Sequence, residues 1–277
     1  MFTKLLEFIL TKSYICYSLL FIVIKYLING LTKTKLFNYI YSKIYDHFFG
    51  DDNFRLATPN LYNYTINKLN NNSKVLDFGC GNGICYNNIK VIENIKNKNL
   101  KVIGVDIDKI YINECNNRIV NNHLQDYIET KLINIFDYKL NDNEEKFDYA
   151  IFSESAPVIP SELLFDFVDY INNNLIKEDG QIIFINNLSQ ENNKMKIIKP
   201  YIKYISLIDF GVLLTENDFI KMGNKLNKKV IINLIDSMKL KEILSYFNLN
   251  LLYPILYLCG ITNYEVEQYE IIFTNKK

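Results

Sequence analysis

Short apolar runs alternate with amphipathic segments through the middle of the chain. Five of these runs have the length and the β-branched content of buried strands, and each of the first two is followed by a segment with helical periodicity. This alternation predicts an α/β fold with a doubly wound parallel sheet. The predicted strands are residues 75–77, 101–106, 129–135, 148–153 and 181–186. The predicted helices between them are residues 84–95, a segment ending near Ile119, and residues 162–175.

The C-terminal third has a less regular pattern. A polar stretch covers residues 189–194, helical patterns cover residues 195–206 and 237–247, and two apolar runs at 249–258 and 268–274 are typical of a closing pair of strands. Residues 209–236 lie between these elements and are predicted to be an elaboration that binds the substrate. We expect no flexible linker and no internal repeat.

The first thirty residues are unusually apolar. Residues 13–24 contain no charge, but Lys12 and Lys25 make this stretch shorter than the roughly 20 residues that span a bilayer. Three interpretations stay open: a spanning or re-entrant anchor, a helix in the membrane interface, and a buried helix that covers the catalytic domain. We therefore predict a hydrophobic N-terminal helix over residues 1–35 that associates with a membrane surface, followed by one domain over residues 36–277.

A second N-terminal helix is predicted over residues 36–49, because apolar residues recur there every three or four positions. Leu61 to Leu69 is predicted as the helix that leads into the first strand. Tyr41 and Tyr45 lie one turn apart on the earlier helix, where they face either the core or a ligand.

Composition narrows the class of function. The chain has 277 residues, of which 49% are hydrophobic, so it can bury a full core. Its 31 basic and 31 acidic residues balance, and this zero net charge disfavours nucleic acid as a partner. Five scattered cysteines favour a reducing, intracellular compartment, and two histidines are too few for a metal cluster, so no metal site is predicted.

The candidate chemistry begins where the first predicted strand ends. Asp77 is followed by glycines at 79, 81 and 83, a tight turn in which the backbone N–H groups can approach a ligand. The next predicted strand ends at Asp106, 23 residues after Gly83. An acid at that position can accept hydrogen bonds from both hydroxyls of a ribose. The pair of strand ends therefore predicts a nucleoside site.

This segment resembles the class I S-adenosylmethionine-dependent methyltransferases, whose first motif is an acid, any residue and then three alternating glycines. Asp77, Gly79, Gly81 and Gly83 match that motif at every required position. The resemblance covers residues 69 to about 187. It implies a Rossmann-like, doubly wound, seven-stranded sheet with S-adenosylmethionine as cofactor, Asp77 at its methionine end and Asp106 at its ribose.

The same resemblance implies further cofactor contacts at the ends of later strands. Ile107 follows Asp106, and Asn134 stands where the family often has an acid that contacts the adenine amino group, with Asp137 as an alternative. An asparagine carbonyl can still accept that hydrogen bond. Ile135 and Ser153 complete the predicted cofactor-binding set.

The nature of the methyl acceptor is suggested by three short segments. Residues 41–50, 156–160 and 185–187 are similar to segments of bacterial phosphatidylethanolamine N-methyltransferases, although Asn187 stands where those enzymes usually have a histidine. We therefore predict a methyltransferase acting on a small-molecule or lipid acceptor, with a lipid head-group amine as the favoured one. The protein would be membrane-associated, with its catalytic domain in the cytosol.

The predicted catalytic residues are Glu154, Tyr41 and Tyr45. Glu154 follows the fourth strand, where it can accept a proton from the amine or hold the ammonium, and either tyrosine can place its ring face against a cation. Two alternatives stay open. One is a soluble small-molecule or protein methyltransferase that uses the N-terminal helix as a lid. The other is a non-catalytic binding module, which the intact Asp77 and Asp106 disfavour.

Overall fold

The computed structural model describes residues 55–141, 143–153, 155, 159, 161–188, 214–239, 242 and 265–276. All of these except residues 237–239, 242 and 265–267 belong to one compact unit. The predicted N-terminal segment 1–35, the helix at 36–49, the helix at 195–206 and the strand at 249–258 lie outside the described residues.

The described strands form one seven-stranded sheet in the order β3-β2-β1-β4-β5-β7-β6. Strands β1 to β5 pair in parallel, and β7 pairs antiparallel with β5. This arrangement confirms the predicted Rossmann-like, doubly wound sheet. The strands are β1 Lys74–Phe78, β2 Lys101–Asp106, β3 Ile128–Leu132, β4 Phe147–Ser153, β5 Ile176–Asn187, β6 Lys228–Lys239 and β7 Glu265–Asn275.

Five helices are described, and three of them begin at side-chain caps. The helices are α1 Thr58–Ile66, α2 Ile89–Asn97, α3 Lys109–Asn121, α4 Ser161–Asn174 and α5 Glu216–Lys225. The capped helices are α2, α3 and α5. The side chain of Asn88 accepts the amides of Lys90 and Val91, and this cap starts α2 five residues later than predicted. A short 3-10 turn, Ile84–Asn87, replaces the first part of the predicted helix.

Helices cover both faces of the sheet. On one face, α1, α2 and α3 pack on β-branched strand residues, with Tyr62 and Ile95 among their fully buried side chains. On the other, α4 and α5 pack on a core of aromatic rings. There Phe78, Phe152 and Phe184 stack across β1, β4 and β5 at centroid distances of 4.8 and 4.6 Å. Residues alternate along β1, so Phe78 faces this core and Asp77 faces the α1 side.

The structure corrects the prediction for the C-terminal part of the chain. Residues 228–239 form strand β6, whereas the sequence was interpreted there as an elaboration followed by the start of a helix at Ser237. The run Val230–Ile235 is rich in β-branched residues, which favour a strand. Strand β7 confirms the other predicted closing strand. Of the helices that the structure describes, none combines the length and the apolar character needed to cross a bilayer.

Candidate active site

The candidate site lies at the carboxyl ends of β1, β2 and β4. Strand order reverses between β1 and β4, and this switch point is where a doubly wound sheet opens a crevice for ligands. The turn after β1 is fixed to the tip of β2, because the amide of Gly79 donates to the carbonyl of Val105 at 2.8 Å. The turn itself closes when the amide of Gly83 donates to the carbonyl of Cys80 at 3.1 Å.

The three glycines of this turn all have positive φ, but they have different surroundings. A Cβ atom at Gly79 would lie 2.6 Å from the Cβ of Ser155, and one at Gly83 would lie 2.5 Å from the Sγ of Cys115. These two glycines are therefore required by packing within the protein. A Cβ at Gly81 would meet no atom of the described residues within 4 Å. The backbone at Gly81 is thus bordered by open space, where a ligand can approach it closely.

Asp77 is almost fully buried, with 4% of its surface exposed. Its Oδ2 accepts two hydrogen bonds, one from the hydroxyl of Tyr62 at 3.0 Å and one from the hydroxyl of Tyr86 at 2.7 Å. Its Oδ1 accepts none from the residues that the structure describes. Burial, together with the negative charge of Asp106, raises the pKa of Asp77 to about 6 against the effect of both tyrosine hydrogen bonds. The site thus contains a buried carboxylate oxygen that accepts no hydrogen bond within the described part of the chain.

Asp106 ends β2 and holds the glycine turn from the side. Its Oδ2 accepts the amide of Gly81 at 3.0 Å, and its Oδ1 accepts the amide of Asp108 at 2.9 Å. Burial raises the pKa of Asp106, and these backbone hydrogen bonds oppose that rise. Asp108 in turn caps α3. The carboxylate therefore orders both the turn and the start of the next helix, and it keeps lone pairs for a ligand.

The other predicted cofactor residues lie at neighbouring strand ends. Ile107 is 68% exposed although it is large and apolar. Asn134 caps the 3-10 turn Ile135–Asp137 by accepting the amide of Phe136 at 3.1 Å, and its oxygen has a second lone pair. The Oγ of Ser153 is buried at the end of β4 and has no hydrogen-bond partner among the described residues.

Three residues that the sequence did not single out support the site. Tyr62 and Tyr86 hold Asp77, and the Oγ of Ser155 donates to the carbonyl of Phe78 at 2.6 Å while its Cβ lies against Gly79. The sequence carried a signal for Tyr86, because it follows the glycine motif by only three residues. A tyrosine buried there needs a hydrogen-bond partner for its hydroxyl, and the acid of the motif is close by. The predicted catalytic residues Glu154, Tyr41 and Tyr45 lie outside the described residues.

Cys80 lies inside the turn, but its thiol is not activated. A hydrogen bond with the thiol of Cys115 and burial together raise the pKa of Cys80 well above its ordinary value. The thiol therefore stays protonated near neutral pH, so the arrangement does not favour Cys80 as a nucleophile.

Comparison with known proteins agrees with this geometry. Residues 69–245 match the family model described as a methyltransferase domain. No curated protein matches the chain in sequence. A methyltransferase candidate from Bacillus halodurans has a similar structure, with a TM-score of 0.54 and 16% identity over 76% of this chain and 95% of that one.

Two enzymes with known ligands are also similar in fold. The geranyl diphosphate C-methyltransferase of Streptomyces coelicolor, solved with geranyl diphosphate and S-adenosyl-L-homocysteine, has a TM-score of 0.51 at 13% identity over 80% of each chain. Phospholethanolamine N-methyltransferase 2 of Haemonchus contortus, solved with phosphomonomethylethanolamine and S-adenosylhomocysteine, has a TM-score of 0.53 over 82% of this chain and 59% of that one. By its motif, its sheet order and its family match, the chain belongs to the methyltransferase domain family, as a class I S-adenosylmethionine-dependent enzyme.

Proposed function

We propose that this enzyme transfers a methyl group from S-adenosylmethionine to an amine on the head group of a membrane-associated lipid. The observation that carries the cofactor part is the buried Oδ1 of Asp77, which has no donor among the described residues and lies two residues before the first glycine of the turn. A buried carboxylate oxygen without a donor is costly. An ammonium group, such as the one at the methionine end of the cofactor, removes that cost.

The neighbouring residues fit the rest of the cofactor. The open side of Gly81 leaves room for a ligand against the turn. Asp106 has carboxylate lone pairs for the ribose hydroxyls beyond those that bind Gly81 and Asp108. The exposed apolar side chain of Ile107 can cover one face of the adenine, with Asn134 and Ile135 at its edge. Each contact uses a group that the fold itself leaves available.

Catalysis requires a deprotonated acceptor in line with the reacting bond. The cofactor, when bound, supplies an electrophilic methyl group on a sulfonium. Ser153 lies at the end of β4, and its buried Oγ has no hydrogen-bond partner among the described residues. Glu154 follows it in sequence and is proposed to take the proton of the amine or to hold the ammonium in place. Positioning and exclusion of water then account for most of the acceleration.

The acceptor part rests on the sequence. Residues 13–24 carry no charge, and residues 41–50, which include Tyr41 and Tyr45, are similar to a segment of phosphatidylethanolamine N-methyltransferases. An enzyme on the cytosolic membrane surface would meet a lipid without extracting it through water. Methylation of the amine gives a cationic head group, and the ring faces of Tyr41 and Tyr45 can attract that cation. Zero net charge disfavours a nucleic-acid acceptor.

A soluble small-molecule acceptor is the second candidate. It is favoured by the enzymes of similar fold that were solved with phosphomonomethylethanolamine and with geranyl diphosphate. In that case residues 1–31 would cover the acceptor and would not bind a membrane.

The test is transfer of labelled methyl from S-adenosylmethionine into a total membrane extract, followed by separation of organic and aqueous phases. We expect the label in the organic phase, and we expect a chain lacking residues 1–31 to lose affinity for phospholipid vesicles while it still binds the cofactor. An Asp106→Asn variant, in which cofactor binding is expected to be weaker, serves as the low-activity control. Label confined to the aqueous phase would replace the lipid acceptor with a soluble one, and transfer to neither phase would refute the activity in this extract.

A further inference from the structure

The two carboxylate oxygens of Asp77 differ in their hydrogen bonds, and the methyltransferase motif alone does not require this difference. Both phenol hydroxyls, from Tyr62 on α1 and Tyr86 on the 3-10 turn, donate to the same oxygen, Oδ2. The other oxygen is buried and accepts nothing from the described residues. The two rings contact each other edge to face, with centroids 6.2 Å apart, so each fixes the other.

We infer that Tyr62 and Tyr86 are positioning residues that keep the Asp77 carboxylate ionised and aim its Oδ1 at the ammonium group of the ligand. The inference rests on the proposed cofactor and adds a role for two residues outside the motif. Tyr86 is well placed for it, because its amide donates to the carbonyl of Gly83 at 2.9 Å. Its own carbonyl accepts Asn122 of the segment after α3 at 3.0 Å. Tyr86 therefore connects the glycine turn to Asp77.

The groups around Asp77 act in opposite directions on its ionisation. Burial and the charge of Asp106 on β2 raise its pKa, and the hydrogen bonds from Tyr86 and Tyr62 lower it, with a result of about 6. The Cys80 thiol in the turn stays neutral, because its hydrogen bond with Cys115 and its burial raise its pKa, with a smaller contribution from the charge of Asp77. The two tyrosines are thus the neighbours that favour the charged carboxylate.

This arrangement makes a proton and the ligand compete for one atom. Because Oδ2 already accepts two donors, a proton added to the carboxyl group goes to Oδ1. That is the oxygen available to the ammonium group. Binding of the ligand below about pH 6 must therefore release a proton from Asp77, and binding well above that pH must not.

The experiment is isothermal titration calorimetry of the full chain with S-adenosylhomocysteine, which carries the same methionine end, from about pH 5 to about pH 9. Titrations in buffers of different ionisation enthalpy count the protons released. Tyr86→Phe and Tyr62→Phe remove one donor each and keep the ring. Tyr149→Phe is the matched control, since Tyr149 packs in the same core cluster but its hydroxyl accepts the amide of Asn70.

Loss of one hydrogen bond to the charged form raises the pKa of Asp77 by about one to two units. For Tyr86→Phe and Tyr62→Phe we therefore expect ligand binding to release a proton up to a pH that is about one to two units higher than in the wild type. The affinity near neutral pH then falls by about two- to tenfold and returns to within about twofold of the wild type near pH 9. The Tyr149→Phe profile stays as in the wild type.

Two results would overturn the inference. One is an affinity lowered by the same factor at every pH with unchanged proton release, which is what a purely structural role predicts. The other is an unchanged profile. A separate measurement distinguishes the role of the tyrosines from the proposed cofactor. It is the pH titration of the Asp77 carboxyl by carbon NMR in the ligand-free variants. If the wild type binds no ligand at any pH, the proposed cofactor is wrong, and the titration alone then reports whether the tyrosines control this carboxyl.

Discussion

The glycine turn offers a prediction in which two substitutions of the same kind rank in opposite orders for stability and for ligand affinity. Gly81→Ala and Gly83→Ala both place an alanine at positive φ, which costs roughly 1–2 kcal/mol of the free energy of unfolding. At Gly83 the added methyl would also lie 2.5 Å from the Sγ and 3.1 Å from the Cα of Cys115. Overpacking of this kind costs about 1–3 kcal/mol more.

We therefore expect Gly83→Ala to lower the free energy of unfolding by about 2–5 kcal/mol and Gly81→Ala by about 1–2 kcal/mol. The order reverses for ligand affinity. The methyl at position 81 points into open space, where the cofactor is proposed to lie, so S-adenosylhomocysteine should bind about tenfold or more weakly. Gly83→Ala keeps that space open and should bind with a smaller loss.

The assay combines urea unfolding followed by circular dichroism with calorimetric titration of S-adenosylhomocysteine on each folded variant. Each substitution controls for the other, because the backbone strain is shared and only the direction of the methyl group differs. The reasoning is refuted if Gly81→Ala is as unstable as Gly83→Ala, or if it binds the ligand as tightly as the wild type does.

Three further substitutions test individual side chains. The pKa of Asp77 is raised from 3.8 to about 6 in the folded protein, so its neutral form favours folding and that stability is lost as pH rises through about 6. This loss is about 2.4 kcal/mol between pH 4 and 7 in ligand-free protein. Asp77→Asn should remove it from the pH dependence of unfolding, and an identical slope in the variant would contradict the assignment. Asp106→Asn should weaken ligand binding about ten- to hundredfold in calorimetry, and unchanged affinity would remove the ribose assignment. Glu154→Gln should lower kcat by about a hundredfold or more at unchanged cofactor affinity, and a wild-type kcat would exclude it as the base.

The residues at the carboxyl ends of β1, β2 and β4 could be predicted because the sequence patterns that mark them are local. Strand β2 and the end of β4 match the predicted limits, since each is a continuous apolar run that ends in a polar residue. The glycines at 79, 81 and 83 are adjacent to the acid that they serve. In contrast, α2 starts later than predicted, because the side chain of Asn88 accepts the next amides and caps a helix that begins at Ile89.

The parts that sequence reasoning missed depend on tertiary contacts. Tyr62 meets Asp77 from a helix 15 residues earlier, and no spacing rule connects the two. The limits of β6 were missed for a similar reason, because its place in the sheet depends on pairing with β7. Its run Val230–Ile235 is rich in β-branched residues, which favour a strand. The position of this run, between the last predicted helices, instead favoured a substrate-binding elaboration.

The position of β7 has a consequence for how the protein is made. On the ribosome, β1 to β5 emerge first and can pair with one another, but β6 emerges before β7, the strand that joins it to β5. Until β7 arrives, the backbone of β5 at Ile182–Asn187 is an open sheet edge that can pair with another chain. A nascent chain stalled before residue 265 should therefore aggregate or need a chaperone, whereas release of the following eleven residues closes the edge.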